Sequence, residues 1–445
     1  MNTLRNTLNP PKILVLGFAL IIIIGTFLLT MPLSTEDGKG LSFLDALFTA
    51  TSATCVTGLI VVDTGDTFSV FGEVVILCLI QIGGLGFMTF ATLLFLLLGK
   101  KISLKERLLL KEAFNNISIA GLVKLVKRIL LFTALIEIIG GLILSIRFSF
   151  DMPIGKAVYF GFFHAISNFN NAGFDLMGGF NGMTAYVDDP FVVLTICALI
   201  TIGGLGFIVM NELYEYRVTK RLSVHTKIVL ASTIILTVSA TILIFLFEFG
   251  NDKTLGPLTE WGKVLGSFYQ AVTPRTAGSN TLAIGDLTHS TLFLIILLMF
   301  IGAGSGSTAG GIKITTFAVL VATMWSQIRG KEDVVLFKRR IVTETILKAL
   351  TVTMCGVLIV VVVTIILSIT EQRHSFMMYL FEATSAFGTV GLSMGLTPEL
   401  SPTGRILIIL TMFAGRLGPL TIAFAITKRR KTEAFRHPKG NIMIG

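Results

Sequence analysis

Apolar residues along the chain fall into eight long runs grouped as four pairs. The leading runs, 13–29, 129–146, 228–247 and 346–369, approach the roughly 20 apolar residues that carry a helix across a bilayer. The trailing runs are 74–98, 191–210, 291–325 and 406–426. Between the two runs of each pair lies a segment of mixed polarity that closes on a turn of small residues. The four turns read ATSATCVTGL (50–59), AISNFNNAGF (165–174), QAVTPRTAGS (270–279) and ATSAFGTVGL (383–392). Aligned without gaps they superimpose Gly58, Gly173, Gly278 and Gly391, at intervals of roughly 105–115 residues, which marks an internal fourfold duplication and not a solenoid. The expected fold is therefore all-α, with eight transmembrane helices in four tandem units: residues 1–111, 112–221, 222–340 and 341–445.

The first unit shows what each turn does. Residues 43–54 form a short amphipathic segment, and Ser42 with Asp45 supplies the side-chain oxygen and early acid of a helix start. Such a segment is too short to cross a bilayer that needs roughly 20 residues, so it enters and returns on one side. Thr54-Cys55-Val56-Thr57-Gly58 is where it turns back. Irregular backbone at membrane depth is tolerated only when buried in protein or facing a water-filled cavity. Its carbonyls can coordinate a desolvated cation, and four such loops around one axis form a ring. The short helices would aim the negative ends of their macrodipoles at that centre.

Composition fixes the medium. The 445 residues are 53% hydrophobic and 14% charged, with mean hydropathy +0.84. A soluble domain carries about 25% charged residues. Basic residues collect between units (Lys100, Lys101, Lys105, Arg107 and Lys111; Arg217, Lys220 and Arg221; Arg329, Lys331, Lys338, Arg339 and Arg340) and in the tail around Lys428–Lys431. Asp63, Asp66, Glu73, Asp175, Asp188, Asp189, Asp252 and Asp286 lie near the turns. Positive loops stay in the cytoplasm, so both termini are expected inside, with the turns entering from outside. The net charge of +10 reads as this bias and not as nucleic-acid binding. The acids would raise the cation concentration at the entrance. The amino-terminal run, preceded by Arg5 and Lys12, is longer than a signal core and lacks a small-residue cleavage site, so it reads as the first span. Cys55, Cys78, Cys197 and Cys355 have neither metal spacing nor a disulfide framework.

Each trailing run contains a glycine cluster: 82–86, 202–206, 301–304 and 414–418. Small residues permit close helix contact, and they also permit bending where helices line a pore. The third run is the most interrupted, with Gly302, Gly304, Ser305, Gly306, Ser307, Thr308, Gly310, Gly311 and Lys313 in succession. Each glycine costs a helix roughly 1 kcal/mol against alanine, so a break inside the membrane is expected there. The segment is not a phosphate loop, because Ile312 follows Gly311 where a lysine is required and no strand precedes it. Arg416 lies in the fourth cluster, where a central charge costs about 2.5–3.5 kcal/mol. It is a structural ion pair, an arginine snorkelling to an interface, or a fixed positive charge beside the ion path. Glu137 reads as its partner or as an independent bundle-facing acid, Arg275 as an outer-flank residue of the third loop, and His164 as packing.

At these residues the chain resembles the Trk/Ktr/HKT superfamily of potassium and sodium transporters, over about residues 10–430, and within it the bacterial potassium-uptake membrane subunits of the Ktr type. The resemblance implies four fused helix, pore-helix, filter, helix units around a pseudo-fourfold pore. It implies a filter made of Thr54, Cys55, Val56, Thr57 and Gly58; Asn170, Asn171, Ala172 and Gly173; Thr273, Pro274, Arg275, Thr276, Ala277 and Gly278; and Phe387, Gly388, Thr389, Val390 and Gly391. Potassium would bind their carbonyls. Glycine at position 58, where serine accompanies sodium preference in the superfamily, implies potassium preference. The loops depart from the TVGYG of potassium channels, so fewer ion sites and weaker selectivity follow. The broken segment 302–313, with Arg416, corresponds to an intramembrane gate. The resemblance further implies a homodimer on a cytosolic nucleotide-binding ring of the KtrA type, which would carry ATP or ADP, and activation by Na⁺. An alternating-access transporter coupled to Na⁺ or H⁺ is the competing reading, although its repeats would commonly be inverted. No nucleophile, acid cluster or nucleotide loop supports an enzyme, and the chain has five histidines.

Overall fold

The computed structural model describes residues 10–86, 122–419 and 421. The basic residues from Lys100 to Lys111 and those from Lys428 onward lie outside this range. The elements are helices joined by loops, with one two-residue hairpin, β1 (Val335–Leu336) and β2 (Arg339–Arg340).

The leading runs form the four helices that are long and apolar enough to cross a membrane: α1 (Pro10–Leu29), α4 (Leu122–Phe148), α8 (Val224–Glu248) and α12 (Thr343–Thr370). Each buries only one side. On α12, Leu347, Leu350, Met354, Leu358, Val361, Ile365 and Ile369 are exposed on one stripe, while Val360, Val363 and Leu367 pack inward. An exposed apolar stripe of that length suits lipid and not water.

After each long helix comes a short one: α2 (Phe43–Cys55), α5 (Ile154–Phe169), α9 (Glu260–Val272) and α13 (Phe376–Gly388). Three start on a side-chain cap: Ser42 accepts from the Asp45 amide, Thr259 from Gly262 and Ser375 from Met378. Such caps contribute about 1 kcal/mol each. From the middle onward these helices are buried, as in α2, where Phe48 through Cys55 are shielded.

The trailing runs were expected to bend at their glycine clusters and to break in the third, and they are interrupted at those clusters. α3 (Val70–Leu85) ends at Gly86, α6 (Pro190–Leu205) at Gly206 and α14 (Pro402–Leu417) at Gly418. The three glycines share one conformation, φ 82, 99 and 82° with ψ 138, 143 and 141°, which β-carbon sterics forbid to other residues. After Gly206 the chain turns by 96° into α7 (Phe207–Thr219). The third run divides into α10 (His289–Phe300) and α11 (Ile314–Ile328) around a non-helical stretch. Among the described residues, then, four helices meet the length and composition of a span, or five if the bent pair counts as one.

Packing orders these elements in a circle. α3 lies on α2 and on α5, α6 on α5 and α9, α10 on α13, and α14 on α13 and back on α2. Close approach at the helix crossings depends on glycine. A β-carbon at Gly83 would strike the Thr54 carbonyl, one at Gly203 the Phe169 carbonyl, and one at Gly415 the Phe387 carbonyl. These are matched positions, and each lets a trailing helix rest on the end of a short one.

Candidate functional site

Three of the four short helices end in the same way, and all four ends meet. In those three the exit is a paired hydrogen-bond motif. Thr57 N–H donates to Ser52 C=O (2.8 Å) and Val56 N–H to Ala53 C=O (3.1 Å). The same pairs recur as Ala172 to Ser167 with Asn171 to Asn168, and Val390 to Ser385 with Thr389 to Ala386. This closure needs a left-handed residue just past the helix. Val56 (φ 58°), Asn171 (60°) and Thr389 (51°) fill that place, and Thr276 (75°) matches them in the third loop. Two residues later Gly58, Gly173, Gly278 and Gly391 have φ of 89, 73, 79 and 92°. A β-branched residue in this region is strained by roughly 1–2 kcal/mol, so Val56, Thr276 and Thr389 are held there by their surroundings.

The four glycines form a closed ring. A β-carbon on Gly58 would run into the Ala172 carbonyl, one on Gly173 into Ala277, one on Gly278 into Val390, and one on Gly391 into Thr57. Each strand thus abuts the carbonyl of the next, and the fourth returns to the first. Two serines pin the ring from behind: Ser52 Oγ accepts from Gly58 N–H and Ser385 Oγ from Gly391 N–H, both at 3.1 Å.

The strands are shorter than the sequence reading. Thr54 and Cys55 belong to the last turn of α2, Phe387 and Gly388 to that of α13, and Asn170 caps α5. Left-handed backbone begins only at Val56, Asn171 and Thr389. The third loop departs in the opposite sense. α9 stops at Val272, and Thr273, Pro274, Arg275, Thr276 and Ala277 make a wider turn, with Ala277 N–H bonded to Thr273 C=O at 2.9 Å. Proline at 274 has no amide to continue the helix. Arg275 is buried, at 3% exposure, with its Nε and one terminal nitrogen unpartnered.

The stretch between α10 and α11 lies against the inner ends of these strands. Gly310 meets the Thr389 side chain, Gly311 the backbone of Gly388, and Thr308 Oγ1 reaches the Phe169 carbonyl at 3.5 Å. Its own backbone is bonded to the bend after α6, through Gly304 N–H to Gly204 C=O (2.8 Å) and Phe207 N–H to Gly306 C=O (2.9 Å). Ser307 Oγ donates to Gly304 C=O at 2.7 Å, and Ser305 Oγ pairs with Thr315 Oγ1 at 3.0 Å. Lys313 folds over the segment, its Nζ donating to the carbonyls of Ala309 (2.6 Å) and Gly310 (3.2 Å). Gly302 packs inside the same stretch, against the Gly310 carbonyl. Arg416 donates to the carbonyls of Thr308 and Gly83. Among the described residues it has no carboxylate partner.

Glu137 is not its partner either. The carboxylate accepts from Gln81 Nε2 (3.2 Å) and Asn170 Nδ2 (3.1 Å). Gln81 was not legible as a site residue, because nothing local connects it to positions 56 and 89 residues away. Ser52 and Ser385 could have been found, since both stand six residues before a ring glycine in the matched motifs ATSAT and ATSAF. His164 is buried against Phe148, Phe160 and Phe163, with its ring nitrogens on backbone groups.

Residues 12–436 match the family model described as TrkH, cation transport protein. The chain is 49% identical over 437 residues to the Ktr system potassium uptake protein B of Bacillus subtilis, covering 98% of this chain and 97% of that one. It is 40% identical over 446 residues to the potassium/sodium uptake protein NtpJ of Enterococcus hirae, covering 99% and 98%. The crystal structure of the potassium transporter TrkH from Vibrio parahaemolyticus shares the fold, with a TM-score of 0.71 at 17% identity, covering 92% of this chain and 84% of that one. With its long apolar helices and glycine-lined ring, the chain belongs to the TrkH family of cation transport proteins and is a multi-pass transporter of the plasma membrane, not an enzyme.

Proposed function

We propose that the chain is the potassium-translocating membrane subunit of a Ktr-type uptake system. In this reading it has four tandem helix, pore-helix, filter, helix units, eight passages and both termini in the cytoplasm. K⁺ passes in single file through the ring of strands, where the main-chain oxygens of 56–58, 171–173, 276–278 and 389–391 replace its water. The observation that carries the reading is the closure of Gly58, Gly173, Gly278 and Gly391 around one centre. Alternating φ signs along each strand favour carbonyls that turn the same way, and buried carbonyls without hydrogen-bond partners suit a desolvated cation. The negative ends of four helix dipoles point the same way and reject anions. The potassium named in the relatives' descriptions supplies the ion.

The stretch 301–313, held by Arg416, is the gate. It lies where an ion leaving the strands must pass, and its bonds to the second and fourth units would have to rearrange for passage. The assembly is a homodimer seated on a cytosolic ring of nucleotide-binding subunits, which would bring ATP or ADP to a chain with no nucleotide loop of its own. Sodium acts as an activator.

Expression in a bacterium lacking its K⁺ uptake systems, with and without a KtrA-type subunit, tests the proposal. Rescue of growth at micromolar K⁺, with K⁺ influx into liposomes holding the purified chain, is expected. Liposomes that take up Na⁺ and exclude K⁺ would overturn it.

A further inference from the structure

Glu137 stands in the middle of α4, is 8% exposed, and is used by neither the ring nor the gate described above. Its carboxylate joins a triangle of hydrogen bonds. Gln81 Nε2, from α3 of the first unit, donates to one oxygen at 3.2 Å, and Asn170 Nδ2 donates to the other at 3.1 Å. Asn170 Nδ2 also lies 2.7 Å from Gln81 Oε1. Room for the Asn170 amide exists because residue 84 is glycine, whose β-carbon would overlap Asn170 Oδ1.

The position is a costly one for a carboxylate. It is at membrane depth, without a basic partner among the described residues, and beside the carboxyl end of α5, where the helix dipole is negative. Ionisable groups kept in such places mark function more often than packing. What the triangle holds is specific. Asn170 is the last residue before the left-handed Asn171, so the position of its peptide fixes where the strand 171–173 begins and where its carbonyls aim. The matched residues in the other three strands are Cys55, Arg275 and Gly388, and none has this anchor.

We propose that Glu137 is a positioning residue for ion discrimination: the Glu137–Gln81–Asn170 triangle sets the second strand of the ring. The inference rests on the reading of the ring as the ion filter. It assigns to one carboxylate, outside the strands, a share of the K⁺ over Na⁺ preference.

The test is a double-mutant cycle on the full-length chain in liposomes, measuring K⁺ and Na⁺ influx for Glu137→Ala, Asn170→Ala and the pair. Loss of a charge-assisted hydrogen bond to a buried group shifts an equilibrium by about tenfold. Each single change should therefore lower the K⁺/Na⁺ ratio by about that factor, and the pair by little more than either alone. Additive effects, or a wild-type ratio in a well-folded Glu137→Ala protein, overturn the assignment. If that protein does not fold, Glu137→Met, which fills the space without a hydrogen-bonding oxygen, replaces it in the same cycle, and the same two outcomes decide. Gly58→Ser, which alters the first strand alone, runs in parallel. If it lowers the ratio while the Glu137 changes do not, the triangle fails and the filter stands. If neither does, the filter reading fails with it.

Discussion

Arg416, in the last turn of α14, donates a hydrogen bond to the main-chain carbonyl of Thr308, 108 residues earlier in the chain. A second bond from the same guanidinium goes to the carbonyl of Gly83. One side chain thus ties the stretch between α10 and α11 to the last turn of α3. A guanidinium buried without a counter-charge is expensive. Its energy is recovered only while both carbonyls are in place.

Arg416→Ala should therefore release the segment and raise K⁺ influx severalfold, since each charge-assisted bond contributes about 1.5–3 kcal/mol to the closed arrangement. Arg416→Lys keeps the charge and loses the two-pronged reach, so an intermediate rate is expected. Liposome influx at matched protein density is the measurement. A wild-type rate in the alanine protein would leave Arg416 as a packing residue.

Gly58→Ser places a side chain on a left-handed residue and against the Ala172 carbonyl. The backbone strain alone is about 1–2 kcal/mol. The first strand must shift away from the second, and the K⁺/Na⁺ ratio of apparent affinities should fall by about tenfold. Equal affinities for wild type and variant would remove position 58 from the filter.

Asp175 lies in the loop beyond the second ring glycine, outside the helices that cross the membrane. Burial pushes its carboxyl up to about 6, and Asp63 nearby adds to the shift, against the hydrogen bond from the Met177 amide. A raised acid binds its proton more tightly in the folded protein. Its stabilising contribution is complete below the unfolded value near 4 and is lost as pH rises through about 6. Asp175→Asn should thus stabilise the protein at pH 7 and have little effect at pH 4, read from melting temperatures in detergent. At the pore mouth the charge works the other way. K⁺ influx at low K⁺ should drop as pH falls through about 6, and the Asn variant should lack that step.

Gly415→Ala and Gly155→Ala make a matched pair. A methyl at 415 meets the Phe387 carbonyl, whereas one at 155 meets nothing within 4 Å. The first should destabilise by about 1–3 kcal/mol through overpacking. The second should be neutral or stabilising by at most about 1 kcal/mol, because alanine is the better helix former. Melting temperatures falling equally for both would break the link between the glycine cluster and the helix crossing.

The four ring glycines, the Ser42 cap of the first short helix and the break after Phe300 were legible in the sequence because each rests on local chemistry. The start of each strand was not. Val56 and Thr389 carry β-branched side chains, which a sequence reading would not place in left-handed backbone, and tertiary contact holds them there. Bending of the trailing helices was legible from their glycine clusters, and Gly86, Gly206 and Gly418 end α3, α6 and α14 there. Gln81, which holds Glu137, and both partners of Arg416 lie in other units, beyond the reach of periodicity or spacing.

The ring is closed by main chain alone, and this frees its side chains to diverge. Cys55, Asn170, Arg275 and Gly388 occupy one equivalent place with four unlike residues, while the backbone they adjoin stays nearly the same. A pore assembled from identical subunits must accept any substitution in quadruplicate. This polypeptide can alter one quarter at a time, giving one strand a polar anchor and another a proline, while the four glycines still close on one another.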